Sequence, residues 1–208
     1  MLGSKRRDLE KKMEEEGRLP PGQSATLQFP VLHYGRIPAI ELDDWQLRLY
    51  GLVENEVTLD WETFSSLPTS TQVVDIHCVT RWSKFDTEWE GVAFTELMKL
   101  ANPKPEAKFV IAHCYGGYTT NLPMEAMTDD DVMLAYKYDG KPLDPEHGFP
   151  VRTLVPKKYF WKSAKWVNAL EFVDEDRLGF WERAGYHNEA DPFKEQRFAG
   201  RSGGGGLW

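Results

Sequence analysis

Cysteine is scarce in this chain: Cys78 and Cys114 are the only two among 208 residues. That excludes a disulfide scaffold. It also excludes a C-x-x-C-H haem attachment and a cysteine-bound iron–sulfur cluster. No apolar run approaches the roughly 18 residues that span a membrane. No Gly-rich phosphate loop is present, and the regular βαβ alternation of a dinucleotide-binding fold is missing. Positive charge is in deficit, with 25 Lys and Arg against 33 Asp and Glu, a net charge of −8. Nucleic acid and anionic membrane surfaces need a basic face, so both are excluded as main partners. The run Ser4 to Arg7 resembles a twin-arginine signal, but charged residues from Asp8 to Glu16 follow it where an apolar segment is required. The reading is therefore a cytoplasmic protein.

Aromatic residues are plentiful: eight Trp, eight Tyr and eleven Phe. They furnish a large core and leave rings over for a pocket. Residues 1–22 are charged and end in Pro20-Pro21-Gly22, which reads as a solvated helix or a disordered arm. Residues 199–208 form a Gly-rich tail, expected to be flexible. Residues 23–198 read as one domain. Alternation predicts a half-buried strand over 45–53, and further strands over 109–114, 118–122, 132–136, 151–155 and 167–173. Short helices are expected over 60–64, with Asp60 as N-cap, over 94–100, and as a turn near 122–127. Many strands with few short helices make a mixed, strand-rich α+β domain.

Chemistry concentrates in the stretch Asp75 to Ser83. It closes the apolar run Val73, Val74, Ile76 and places His77, Cys78, Arg81 and Trp82 together at a strand end. A thiolate there, with a cation three residues on, suits a soft metal or nucleophilic chemistry. Alternatively, Cys78 is a small buried hydrophobe. Each cysteine follows a histidine, which invites zinc. Neighbours on a strand point to opposite faces, however, and C-x₂₋₄-C spacing is absent. The run Pro156 to Trp166 is a basic island in an acidic protein. Lys157 and Lys158 read as solvated, while Lys162, Ser163 and Lys165 are spaced to converge on an anion. Just upstream, Arg152 sits in a strand, where it serves either a ligand or a structural ion pair. Trp181 to Asn188 is a polar aromatic loop that covers a pocket or simply turns at the surface.

Four blocks together carry a specific resemblance: Phe29 to Pro38, the Cys78 stretch, His147 to Arg152, and Pro156 to Trp166. Over about residues 27–198 the chain resembles the sulfite-oxidase-type molybdenum cofactor domain. It looks closest to short bacterial and archaeal members without haem or dimerisation domains. The resemblance implies a sulfite-oxidase-type molybdopterin-binding fold and a molybdenum–molybdopterin cofactor without an added nucleotide. It implies Cys78 as the metal ligand, with Tyr186 beside the reacting centre; Arg81, three residues on, is the catalytic-site cation expected to favour the thiolate. His33, Tyr34, Gly35, Arg36, Cys114, His147 and Arg152 match pterin-contacting positions. Ser163, Ala164 and Lys165 match the segment that binds the terminal phosphate, and Lys162 of the basic island is expected to add a further cation there. The implied activity is two-electron oxygen-atom transfer on a small S- or N-oxo compound. Electrons would be exchanged with a separate carrier protein, quinone or cytochrome, and the chain would be a monomer. A non-catalytic cofactor carrier is the rival reading. Leu32 stands where sulfite oxidases place a substrate-binding arginine, which counts against sulfite; Arg36 or Arg81 is the candidate replacement.

Overall fold

Two mixed sheets meet across one apolar core. A computed structural model describes residues 2–200; positions 201–208, most of the Gly-rich tail, lie outside them. Along the chain come α1 (Leu2–Glu15), β1 (Ser24–Ala25), β2 (Gln46–Gly51), β3 (Val57–Asp60) and α2 (Trp61–Ser65). Next are β4 (Thr69–His77), β5 (Trp82–Ala93), α3 (Phe94–Ala101), β6 (Phe109–Cys114), β7 (Thr119–Pro123) and α4 (Met124–Met127). The chain continues through β8 (Met133–Tyr138), β9 (Lys141–Pro142), β10 (Arg152–Leu154), β11 (Val167–Val173) and α5 (Phe180–Arg183). One sheet runs β1-β5-β8-β10, with β4 on β5 and β9 on β8; the other runs β3-β2-β11-β6-β7. The mixed, strand-rich α+β class expected from the sequence is what forms.

Local chemistry explains the elements. Asp60 caps α2 by accepting from Thr63 N (2.8 Å). The core sets Leu47, Leu49, Leu170 and Phe172 of the second sheet against Val92 and Leu134 of the first and Phe94 of α3. Long strand β5 has no counterpart among the strands expected from alternation. Its inward positions Ser83, Phe85, Thr87 and Trp89 are all buried, so the period of two is present with polar and apolar side chains mixed on the buried face.

The N-terminal arm differs from its expected form. Of the two readings, helix forms, and it docks on the domain. Leu9 and Met13, four residues apart, share one face of α1. Met13 is 0% exposed against Ala25 and Phe85. Arg18 then grips Asp75 (2.7 Å) and Asp86 (2.6 Å). The apolar stripe is two side chains wide, too narrow to read amid the charges. The arm goes on into β1, which pairs in parallel with the start of β5.

Candidate functional site

Cys78 is the first residue after β4. Its N–H donates to Trp82 O (2.8 Å) and its carbonyl accepts from Arg81 N (3.0 Å). This tight turn carries Arg81 at φ 76, a conformation uncommon for a residue with a side chain. The turn presents Cys78 to a cavity of about 530 Å³, within the rough 300–1,000 Å³ span of ligand sites. His77 turns to bond Ser83 Oγ through Nδ1 (2.8 Å). Burial pushes the Cys78 thiol up, while the Thr80 hydroxyl, donating to Sγ at 3.2 Å, and the charge of Arg197 oppose that rise.

One wall of the cavity is cationic. Arg152, 2% exposed in β10, donates to His147 O (2.8 Å) and Ser163 O (2.7 Å). Its guanidinium lies 4.1 Å from the Phe160 ring centroid. Burial lowers its pKa to about 9. Lys165 Nζ donates to Leu32 O (2.7 Å) and Glu146 O (2.8 Å). Burial, then the charge of Arg152, brings Lys165 down to about 7. His147, stacked on Phe29 at 3.9 Å, is lowered by burial, then by Arg152 and Lys165. Gly148 lets the His147 loop approach: at φ +115, a Cβ there would lie 3.1 Å from Arg152 Cβ and 3.2 Å from Lys165 Cβ. Among the described residues, none of Arg152, Lys165 or His147 forms an ion pair with a carboxylate.

Another part of the lining is aromatic. The Tyr186 ring lies 4.9 Å from Trp181 and 5.1 Å from Trp161. Burial, then Cys78, raises the Tyr186 hydroxyl, so it stays a neutral donor. A strap without regular secondary structure completes the enclosure, contributing His33, Tyr34, Gly35 and Arg36 to the lining. Tyr34 leans on Phe180 at 4.9 Å. Ser163 and Ala164 also line the cavity, although the Ser163 hydroxyl is taken up in accepting from Val155 N (2.9 Å).

Eleven of the fourteen sequence-predicted site residues thus line one cavity, and three do not. Lys162 is buried in an ion pair with Glu182 (2.6 Å) and donates to Asn121 O (2.8 Å). Its ammonium braces the wall from behind. Arg81 extends outward, its side chain 62% exposed, beside Glu195 at 3.8 Å. Its reversed backbone at the turn carries it away from the cavity, and the charge near Cys78 comes from Arg197. Cys114 points from β6 into the main core, where burial pushes its thiol up. The neighbouring His113 faces the other side and bonds Glu171 (2.9 Å) and Tyr50 (3.3 Å). Within the basic island, Lys157 and Lys158 pair with Asp129 (3.0 Å) and Glu189 (3.5 Å). Lys165 alone of the four is left for a ligand. Sequence reasoning missed Trp82 as a lining residue and Arg197 altogether. The first lies within the Cys78 stretch; no local signal marks the second.

The lining fits the cofactor that the resemblance implies. The thiol is a soft donor once deprotonated. Cations buried without carboxylates are costly, by several kcal/mol each in round terms, unless an anion joins them. Trp82 Nε1 is a buried donor with no partner among the described residues, and its side chain lines the same cavity. The cations lack a counter-charge and the indole lacks an acceptor, and an anionic, acceptor-rich ligand would supply both.

Comparison with known proteins gives the same picture. The profile of the oxidoreductase molybdopterin binding domain matches residues 34–181. The uncharacterized oxidoreductase YuiH of Bacillus subtilis (strain 168) is 46% identical over 186 residues, 89% of this chain and 94% of that protein. The putative protein-methionine-sulfoxide reductase subunit YedZ1 of Azospira oryzae is 31% identical, over 80% of this chain and 64% of that protein. Among solved structures, the sulfane dehydrogenase SoxCD of Paracoccus pantotrophus has a TM-score of 0.66 and 26% identity, over 74% of this chain and 44% of its own. The chain thus spans nearly all of YuiH, just under two thirds of YedZ1 and less than half of SoxCD. His33 and Tyr186 fall just outside the matched range.

Proposed function

This chain belongs to the oxidoreductase molybdopterin-binding family, and on that premise we propose that it transfers an oxygen atom, with two electrons, at the Cys78 cavity. The cofactor is molybdenum–molybdopterin, which when bound supplies two-electron redox chemistry at a metal held by soft sulfur ligands. The proposed substrate is a small S- or N-oxo compound. It takes up two electrons and two protons and leaves as the deoxygenated compound and water, or the reverse. One observation carries this reading: a buried thiol and three cationic or protonatable side chains, without carboxylate partners among the described residues, line one cavity. The relative named as a methionine-sulfoxide reductase subunit supports the S-oxo half of the class.

The chain's own residues divide the work. Cys78 offers its thiolate to the metal, losing its proton on loading, and Thr80 holds Sγ through its hydroxyl. Arg152 and Lys165 hold the anionic end of the cofactor, since guanidinium and ammonium donors suit phosphate. Trp82 offers its free indole N–H. Tyr186, in the same lining and near Cys78, donates a hydrogen bond to the substrate oxygen and keeps its own proton. The strap from Phe29 to Arg36 excludes water. Electrons come from a separate carrier protein, quinone or cytochrome; among the described residues no helix is long and apolar enough to cross a membrane.

The test is molybdenum and phosphate content per chain from a cofactor-making host, with Cys78→Ser beside wild type. Turnover of the loaded protein with a reduced dye and sulfoxides, N-oxides or nitrate follows, together with sulfite oxidation. About one molybdenum per chain, an altered metal spectrum in Cys78→Ser and turnover of an oxo compound are expected. A loaded protein inert toward all of these would make it a cofactor carrier instead.

A further inference from the structure

Both flanks of the described chain converge on the Cys78 turn. Gln23 Nε2 donates to Cys78 O (2.9 Å). Arg197 Nη1 donates to Val79 O (2.8 Å). Both residues are buried, Gln23 at 7% exposed and Arg197 at 5%. The other arm of the Arg197 fork reaches Pro21 O (3.2 Å) and Gly22 O (3.3 Å). One guanidinium therefore spans from the turn to the segment that carries Gln23. Ser24 N donates to Arg81 O (2.9 Å) and closes the far end of the turn.

The turn needs this support. Its internal bonds are few, and Arg81 sits at positive φ, a strain that persists only where the surroundings enforce it. The arm, by contrast, has its own anchors in Met13 and Arg18. Neither Gln23 nor Arg197 falls within residues 34–181, so the brace is built from this chain's flanks.

We propose that Gln23 and Arg197 are positioning residues that lock the Cys78 turn and set the direction in which Sγ meets the metal. The functional half of this rests on Cys78 being the metal ligand; the structural half does not. A site whose supporting shell is loose by about an ångström loses much of its effect, which is why the brace bears on function.

The experiment uses Gln23→Met, Arg197→Met and Arg197→Lys. Hydrogen exchange of the Cys78 and Arg81 amides is measured in the cofactor-free protein. Alkylation of Cys78 is followed at one pH, with buried Cys114 as internal reference. The paramagnetic signal of half-reduced molybdenum is recorded in the loaded protein. Losing one neutral buried hydrogen bond should speed turn exchange about fivefold in Gln23→Met, and losing the charged one about twentyfold in Arg197→Met. The metal signal should shift at unchanged molybdenum content. Arg197→Lys keeps the charge but gives up the span, so it should exchange like Arg197→Met; wild-type exchange in the lysine variant would overturn the span. If Arg197→Met does not fold, Gln23→Met carries the test. Unchanged exchange and an unchanged metal signal would overturn the proposal. A wild type that takes up no molybdenum would remove the metal-ligand reading, while the exchange data would still decide the brace.

Discussion

Replacing Lys165 by methionine should uncouple anion binding from proton uptake in the cofactor-free protein. Burial and Arg152 bring this lysine from 10.5 to about 7. At 1.36 kcal/mol per pH unit that is about 5 kcal/mol against the charged form. An anion placed beside Lys165 restores the charge, so binding draws in a proton. Sulfate is the right probe, because its own charge is constant across this range. With a pKa near 7, about half a proton should enter per sulfate at pH 7, and about 0.9 at pH 8. Apparent affinity should fall about tenfold between pH 6 and pH 8. Calorimetry in two buffers of different ionisation enthalpy measures both quantities. In Lys165→Met the uptake at pH 8 should disappear, His147 being held below its ordinary range and largely silent there. Stability follows with its own sign. The folded pKa lies below the unfolded one, so the cost of charging Lys165 is complete below about pH 7. It fades as pH rises toward 10.5. Without sulfate, Lys165→Met should therefore melt above wild type at pH 6, with the gap closing above pH 7. Equal proton uptake by wild type and variant at pH 8 would refute the assignment of Lys165 to an anion.

Three further outcomes test other parts of the structure. Lys162→Met leaves Glu182 buried and unpaired and should cost about 3–5 kcal/mol, lowering the melting temperature by roughly 10 °C; adding Glu182→Leu should recover most of it. Tyr186→Phe should keep full molybdenum content and lose turnover roughly 10- to 100-fold, the worth of one donor to a charged or polar oxygen; loss of metal instead would give Tyr186 a structural role. Met13→Ala should cost about 2–5 kcal/mol by leaving a cavity under α1, and limited trypsin digestion should then cut the arm at Lys11 or Lys12 faster than in wild type.

The site was legible in the sequence where chemistry and neighbours coincide. Cys78 with its following turn, His147 with Gly148 and Arg152, and Lys165 with Ser163 each sit in short segments whose residue types point to the task proposed for them. Those segments converge in one cavity. The three residues that do not line it share a cause. Lys162 and Lys165 look alike in a basic run, but only the tertiary structure puts Glu182 against one and an open cavity against the other. Arg81 is three residues from Cys78, yet its backbone reverses there and its side chain leaves the site. Cys114, like Cys78, follows a histidine, but it points into the core from the end of β6.

Periodicity and composition by themselves determined the mixed α+β class, most of the strands, the Asp60 cap and the thiol and cations of the site, because each depends on spacing along the chain. The tertiary structure decided which of several equivalent charges is free, that α1 docks through Leu9 and Met13, and that Arg197 lies against the Cys78 turn 118 residues away in sequence. Those outcomes depend on burial and on partners brought from distant segments, and desolvation assigns each charge its role only once the fold has fixed what surrounds it.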